Sequence, residues 1–441
     1  MATRTTSILA VGFMLFALFF GAGNLIFPAM LGQMAGDNLV PANIGFIITG
    51  VGLPVLGIIA LAYSGKDNLQ SLASRVHPLY GITFASVLYL TIGPLFAIPR
   101  TNTVAYEIGI NPFINNNVDT IPLLIFSIIF FGITLYFSLQ SQKLVDVVGK
   151  MLSPLLLVLI SVLVVTAIVN PIGTIQPPTE DFLSGSFFKG FQEGYLTMDM
   201  LAAFVFGIIV INILKERGST SKRDLIVNGL KVALIAGILL AIIYSSLAYL
   251  GATSVEGIGH LDNGGAVLAN SFDYYFGTVG SILLAFIVIA ACLTTSIGLI
   301  TACASYFKEI VPSVSYKQWA VLFTVVSAVL ANFGLNKIIE FSIPVLSLLY
   351  PLAICLLVLT FLHPLFKGRT AVYQFSILFT FIVSLIERLY ELGVPVDGLH
   401  EFFTAVLPWY GVGLGWIVPA IIGGLIGYII SSFNSQPKIS L

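Results

Sequence analysis

The chain has 441 residues, 58% of them apolar and only 9% charged, with a formal net charge of −1. Soluble domains carry roughly 25% charged residues, so an ordinary globular protein is excluded, and no basic patch large enough for nucleic acid appears. Apolar stretches of about 20 residues, the length that crosses a bilayer as a helix, recur almost end to end and leave no soluble domain over.

Twelve such stretches are predicted, at about 7–33, 40–63, 79–99, 121–138, 145–169, 194–214, 226–250, 278–305, 316–333, 338–362, 371–390 and 409–432. The first is interrupted at Phe19-Phe20-Gly21-Ala22-Gly23-Asn24, about where the bilayer midplane should fall. Glycine visits left-handed backbone freely, and unwound backbone at that depth is tolerated only against protein or a polar cavity. A cavity there implies a carried solute. Residues 1–23 also have the outline of a signal peptide, but the apolar run resumes through Leu25-Ile26-Phe27, so the first stretch reads as an uncleaved signal and span.

Three connections on the side opposite the N-terminus are longer than a tight turn: the Asn-rich 100–120, the Pro-containing 170–193, and 251–277, in which 266–275 reads as a short surface helix. They read equally as lids or as plain connections. The sixth span brings Thr197, Met198 and Asp199 into an apolar segment, with Gly207 following. An intramembrane aspartate costs about 2.5–3.5 kcal/mol on insertion scales and faces a cavity or a partner. The alternative is a structural Asp199, nearer the interface or protonated between helices. In the eighth span Ala291, Thr294 and Thr295 stand at i, i+3 and i+4, on one helix face. Their oxygens suit a hard monovalent cation facing the first break, although such hydroxyls also bond their own i−4 carbonyls.

Cys292, Cys303 and Cys355 all lie in apolar stretches and read as small hydrophobes; eleven helical residues hold the first two about 16 Å apart. The histidines (His77, His260, His363, His400) fall at span ends or in loops without ligand spacing, so no cofactor is expected, and no nucleophile–base pair marks an enzyme.

Charge placement orients the chain. With the N-terminus inside, Arg4, Lys66, Arg75, Lys143, Lys150, Lys215, Arg217, Lys222, Arg223, Lys231, Lys308, Lys317, Lys367, Arg369 and Lys438 fall inside, 15 of the 19 basic residues. Arg100, Lys189, Lys337 and Arg388 fall on or near the outer side, with the acids Glu180, Asp181, Glu256, Asp262, Asp273, Asp397 and Glu401. By the positive-inside rule both termini are cytoplasmic.

Breaks in spans one and six, five apart, match two five-span units of opposite orientation. The expected organisation is a first unit at 1–170, an inverted second unit at 171–365, and two further spans with a short tail at 366–441. Half-helix N-termini favour a carboxylate. The side chains near the breaks, Phe19, Phe20, Leu25, Leu196, Met198, Met200 and Phe204, favour an apolar body. An aliphatic amino acid fits both, with Asp199 balancing its ammonium or the coupling ion.

Gly21-Ala22-Gly23-Asn24 with Phe27-Pro28, the run Pro94-Leu95-Phe96-Ala97-Ile98-Pro99-Arg100 with Glu107, and Thr197-Met198-Asp199 resemble the bacterial branched-chain amino acid:cation symporters of the BrnQ type, over about 7–432. That resemblance implies uptake of leucine, isoleucine and valine through the bacterial cytoplasmic membrane, coupled to Na⁺ or H⁺, with no obligate protein partner evident. More distantly, the chain is similar to LeuT-type inverted-repeat transporters, which implies an all-α polytopic fold with broken helices one and six. It also implies that backbone at Ala22 and Gly23 meets the substrate carboxylate. Ala17, Phe20 and Ala291 carbonyls with Thr294 and Thr295 hydroxyls would hold Na⁺, and Asn24 with Thr197 a second ion. Neurotransmitter-type relatives carry arginine where this chain has Ile26, so the outer gate differs and Arg100 is a candidate replacement. A six-plus-six facilitator, suggested by the basic linker at 215–223, or an amino-acid carrier of other specificity stays open as an alternative, as does a channel.

Overall fold

The computed structural model describes residues 2–66, 68–114, 120–140, 142–216, 218–219 and 221–433, and every regular element among them is helical. Arg217 and Lys438 lie outside the described residues, as does part of the Asn-rich connection (115–119); the side chains of Arg4, Lys143 and Lys150 are likewise outside the description.

α1 (Ala2–Phe19) and α2 (Ala22–Ala35) share the first apolar stretch. The chain turns back at Gly36 into α3 (Leu39–Ile47), which runs through one π-helical turn into α4 (Leu53–Ser64). The short α5 (Leu69–Ala73) leads to α6 (Pro78–Leu90) and, past a π turn, to α7 (Ala97–Gly109). At that joint Gly93 leaves helical geometry (φ −102°, ψ −122°), and Pro94, having no amide hydrogen, cannot restore the ladder. The helix nevertheless continues to Gly109, so residues assigned from sequence to an outer loop are helical. Arg100, Thr101, Asn102 and Thr103 are buried within protein, where hydropathy, which measures lipid compatibility, gives no signal.

α8 (Thr120–Gln140) and α9 (Gln142–Val169) follow. α10 (Ser186–Glu193) and a 3₁₀ turn to Thr197 meet α11 (Asp199–Glu216) at a 43° bend. The sixth stretch therefore begins at Ser186 rather than 194. Its first half carries Lys189, Gln192 and Glu193 and is tied to α3 by close backbone approach, Gly45 against the Phe187 carbonyl and Gly190 against that of Ala42. α12 (Lys222–Ile258) packs along α2.

α13 (Gly264–Ile310) is broken at Gly277 (φ 57°, ψ −162°), which separates a first section from the eighth apolar stretch as expected. The first section is not superficial: Val267, Leu268 and Phe272 are buried, and Gly264 sits against the Ile26 carbonyl of α2. Gly277 occupies backbone space almost closed to L side chains, while the space around its Cβ position is open. Gly277→Ala is expected to cost about 1–3 kcal/mol through strain alone, measured as a lowered thermal midpoint of the purified protein.

α14 (Tyr316–Ala331), α15 (Leu335–Leu362) and α16 (Thr370–Glu391) are joined by short turns. α17 (Asp397–Val406) precedes α18 (Ile417–Phe433), so residues 409–416, expected in the last span, form turns instead. α16 and α18 pack together at the edge of the bundle. Among the described residues, seven helical stretches are long and apolar enough to cross a membrane and the bent pair α10–α11 is an eighth, with shorter apolar helices besides. Large apolar side chains such as Ile128, Val165, Ile242, Phe286, Val329 and Leu425 are exposed, as expected of an all-helical membrane protein facing lipid.

Candidate functional site

The two interruptions face each other. α1 ends with the Phe20 amide donating to the Phe16 carbonyl at 2.8 Å. Gly21 is extended (φ −116°, ψ −166°), and its amide donates to Asn24 Oδ1 at 3.0 Å instead of continuing the ladder. The final carbonyls of α1 and the first amides of α2 are thereby left without intrahelical partners.

Across from it, Met198 adopts left-handed geometry (φ 62°, ψ 11°) between the 3₁₀ turn and α11. That conformation costs an L residue roughly 1–2 kcal/mol, so surrounding bonds must hold it. The Thr197 hydroxyl donates to the Gly194 carbonyl at 2.9 Å and accepts from the Asp199 amide at 3.3 Å. Arg100 Nη1 donates to the Leu196 carbonyl at 2.6 Å.

One polar network joins the breaks. Asn24 Nδ2 donates to Asp199 Oδ1 and Oδ2, both at 2.9 Å, and to the Tyr244 hydroxyl. The Tyr244 hydroxyl donates to Asp199 Oδ2 at 2.5 Å. Asn24 thus caps the first break with its oxygen and grips the second with its nitrogen, and α12 supplies the third member. Asp199 opens α11, where the helix dipole favours a negative charge.

Beside this network lies a cavity of about 50 Å³. Gly21, Ala22, Gly23, Asn24, Thr197, Met198 and Asp199 line it, so these candidates from both breaks come together. Phe19 lines it, whereas Phe20, Leu25, Leu196, Met200 and Phe204 are buried without reaching it. Phe206, two residues past Phe204, takes the wall position, joined by Ala202, Ile92, Ala97, Thr101 and Leu299. Sequence reading missed Tyr244, which sits in an apolar span with nothing beside it to mark it. Asp199, Ala202 and Phe206 stand at i, i+3 and i+7 of α11 and so share its cavity face, whereas Phe204 lies on another.

Of the proposed cation ligands, Thr295 lines the cavity and its Cγ2 is 3.6 Å from the Cβ position of Gly21. Thr294 and Thr295 both donate to the Ala291 carbonyl, at 2.8 and 3.0 Å. Donation leaves each hydroxyl its acceptor lone pairs. Ala17, Phe20, Ala291 and Thr294 are not part of the cavity lining. No cluster of three or more His, Cys, Asp or Glu suited to a metal occurs among the described residues, and the three cysteines are buried and free. His363 is buried, with Nδ1 2.8 Å from the Tyr373 hydroxyl.

Residues 4–434 match the family described as branched-chain amino acid transport protein. The chain is 55% identical to the branched-chain amino acid permease BrnQ of Bacillus subtilis over 429 residues, 97% of this chain and 98% of that one. It is 48% identical over 428 residues to the permease BraB of the same organism, covering 97% and 96%. Its fold is similar to the inward-facing conformation of Mhp1, with a TM-score of 0.66 at 12% identity over 98% of this chain and 92% of that one.

Proposed function

Because the chain belongs to the branched-chain amino acid transport protein family, we propose that it is a secondary symporter importing leucine, isoleucine and valine by alternating access, driven by Na⁺ or H⁺. Branched-chain amino acid transport follows from membership; the mechanism is read from the site. The observation that carries it is the Asn24–Asp199–Tyr244 network, which ties two interrupted helices together beside a cavity with a polar end and an apolar wall. Free main-chain dipoles meet the polar end of the solute there, and Phe19, Ile92, Phe206 and Leu299 meet its branched end. A cavity of about 50 Å³ holds a few waters, not leucine, so entry requires the helices around it to separate.

Twelve crossings are part of this reading. The stretch Ala22–Ser64 would be about 65 Å long as one straight helix, twice the bilayer core, and it turns at Gly36 (φ 46°). Its first part completes the crossing begun by α1 and its second forms the next. The interrupted first and sixth crossings stand five apart, as in two inverted units at 1–170 and 171–365 followed by two added spans at 366–441. Clustering of basic residues on one side supports cytoplasmic termini. One Na⁺ entering across about 100 mV supplies roughly 2.3 kcal/mol, enough for about 40-fold accumulation at 1.4 kcal/mol per tenfold.

Uptake of labelled leucine into proteoliposomes, with Na⁺ and pH gradients imposed separately, tests the proposal. Accumulation under neither gradient would sink symport and leave a facilitator. Thr294→Ala combined with Thr295→Ala is expected to raise the Na⁺ concentration for half-maximal uptake several-fold. Unchanged ion dependence would remove those hydroxyls from the coupling site.

A further inference from the structure

Arg100 lines the cavity yet is only 3% exposed, and among the described residues its side chain makes one hydrogen bond, to the Leu196 carbonyl. The ion pairs among the described residues are Lys337–Glu340, Arg388–Glu387 and Arg388–Glu391, so no carboxylate described here lies within 4.0 Å of its guanidinium. The Cβ position of Gly23 is 2.7 Å from Arg100 Nη2, and the guanidinium carbon stands 4.9 Å from the Phe27 ring centroid. Asp199, 2% exposed on the same cavity, is held by Asn24 and Tyr244 and has no cation within that distance. A membrane-embedded charge without a contacting partner of opposite sign is costly. Arg100 and Asp199 border the same small space and act on each other electrostatically across it, but are not in direct ion-pair contact.

Resting on the reading of this site as an amino-acid site, we infer that Arg100 is the receptor for the substrate carboxylate and that Asp199 faces the substrate ammonium. A guanidinium presents five donors in a rigid plane suited to a carboxylate. The Leu196 bond uses one of them, and Nη2 lies against Gly23, within the first turn of α2 whose amides have no intrahelical partners. The absence of a Cβ at Gly23 is what lets the guanidinium approach that backbone. An outer gate built on Arg100 would need an acidic partner, and none of the described acids supplies one at this distance. The zwitterion brings Arg100 and Asp199 each a contacting partner of opposite sign, so a solute lacking either group is disfavoured by the charge left without direct contact.

Competition against labelled leucine binding to the purified full-length protein tests this, with leucinamide and 3-methylbutylamine as probes that keep the branched body and lack the carboxylate. Wild type is expected to prefer leucine over both by at least 100-fold. Arg100→Gln is expected to weaken leucine by a similar factor while leaving leucinamide within a few-fold, so that the preference collapses; Arg100→Lys should restore part of it. A wild-type protein that binds leucinamide as tightly as leucine overturns the inference, whether or not the variants fold. So does an Arg100→Gln protein that keeps the leucine preference. A wild-type protein that binds none of leucine, isoleucine and valine removes the transport reading, and this inference with it.

Discussion

Asp199→Asn is expected to lower the initial rate of leucine uptake by about 10- to 100-fold without preventing folding. Asn24 Nδ2 now has a carboxylate to donate to, and Tyr244 donates to the same group. An asparagine offers one acceptor oxygen in place of two and turns an amide nitrogen toward one of the incoming donors. At least one charge-assisted hydrogen bond is lost, each worth about 1.5–3 kcal/mol, which at 1.4 kcal/mol per tenfold gives the stated range. The loss falls on the joint between two interrupted helices, because the same Asn24 that grips Asp199 also caps the Gly21 amide. Met200→Leu, next in the chain and fully buried away from the cavity, should retain most of the activity. Proteoliposome uptake on both variants at matched protein load is the measurement. Equal rates would return Asp199 to a packing role and leave the two breaks without functional linkage.

Features announced by backbone chemistry were legible in the sequence. Gly21 and Gly23 beside Asn24 mark the first interruption and Asp199 marks the second, because glycine and intramembrane carboxylates have few other uses at such places. Features that depend on what lies across the fold were not. α10 carries charge and reads as loop, yet it is helical because α3 accepts it through backbone contact at Gly190. Judged by hydropathy, Arg100 ends a span, whereas Gly93 and Pro94 bend the chain so that the helix continues into protein. Tyr244 has no signal at all, since a tyrosine in an apolar helix is commonplace until its hydroxyl is seen 2.5 Å from Asp199. Phe206 rather than Phe204 reaches the wall because Asp199, Ala202 and Phe206 stand at i, i+3 and i+7 of α11, a relation that becomes visible once the helix is known to start at Asp199.

A large effect on folding is expected from Gly32→Ala. A Cβ at Gly32 would stand 1.9 Å from the Ala248 carbonyl oxygen and 2.7 Å from the Ala252 amide, while Gly251 faces the Ala29 carbonyl at 1.9 Å from the other side. These are backbone atoms, so no rotamer change relieves the overlap, and α2 and α12 would have to move apart along their shared face. Small residues at such crossings are what let membrane helices approach, since hydrophobic burial gives no drive between helices already in lipid. Overpacking of this kind costs about 3 kcal/mol or more, and here it also displaces α2, which carries Asn24, from α12, which carries Tyr244. Gly298→Ala is the control: it lies within α13 with nothing near its Cβ position, and replacing a mid-helix glycine by alanine gains about 1 kcal/mol of helix propensity in soluble hosts. Yield of monodisperse protein and its thermal midpoint should fall steeply for Gly32→Ala and stay level or rise for Gly298→Ala. A Gly32→Ala protein as stable as wild type would mean that α2 and α12 do not cross this closely, and the route by which Tyr244 reaches both breaks would fail with it.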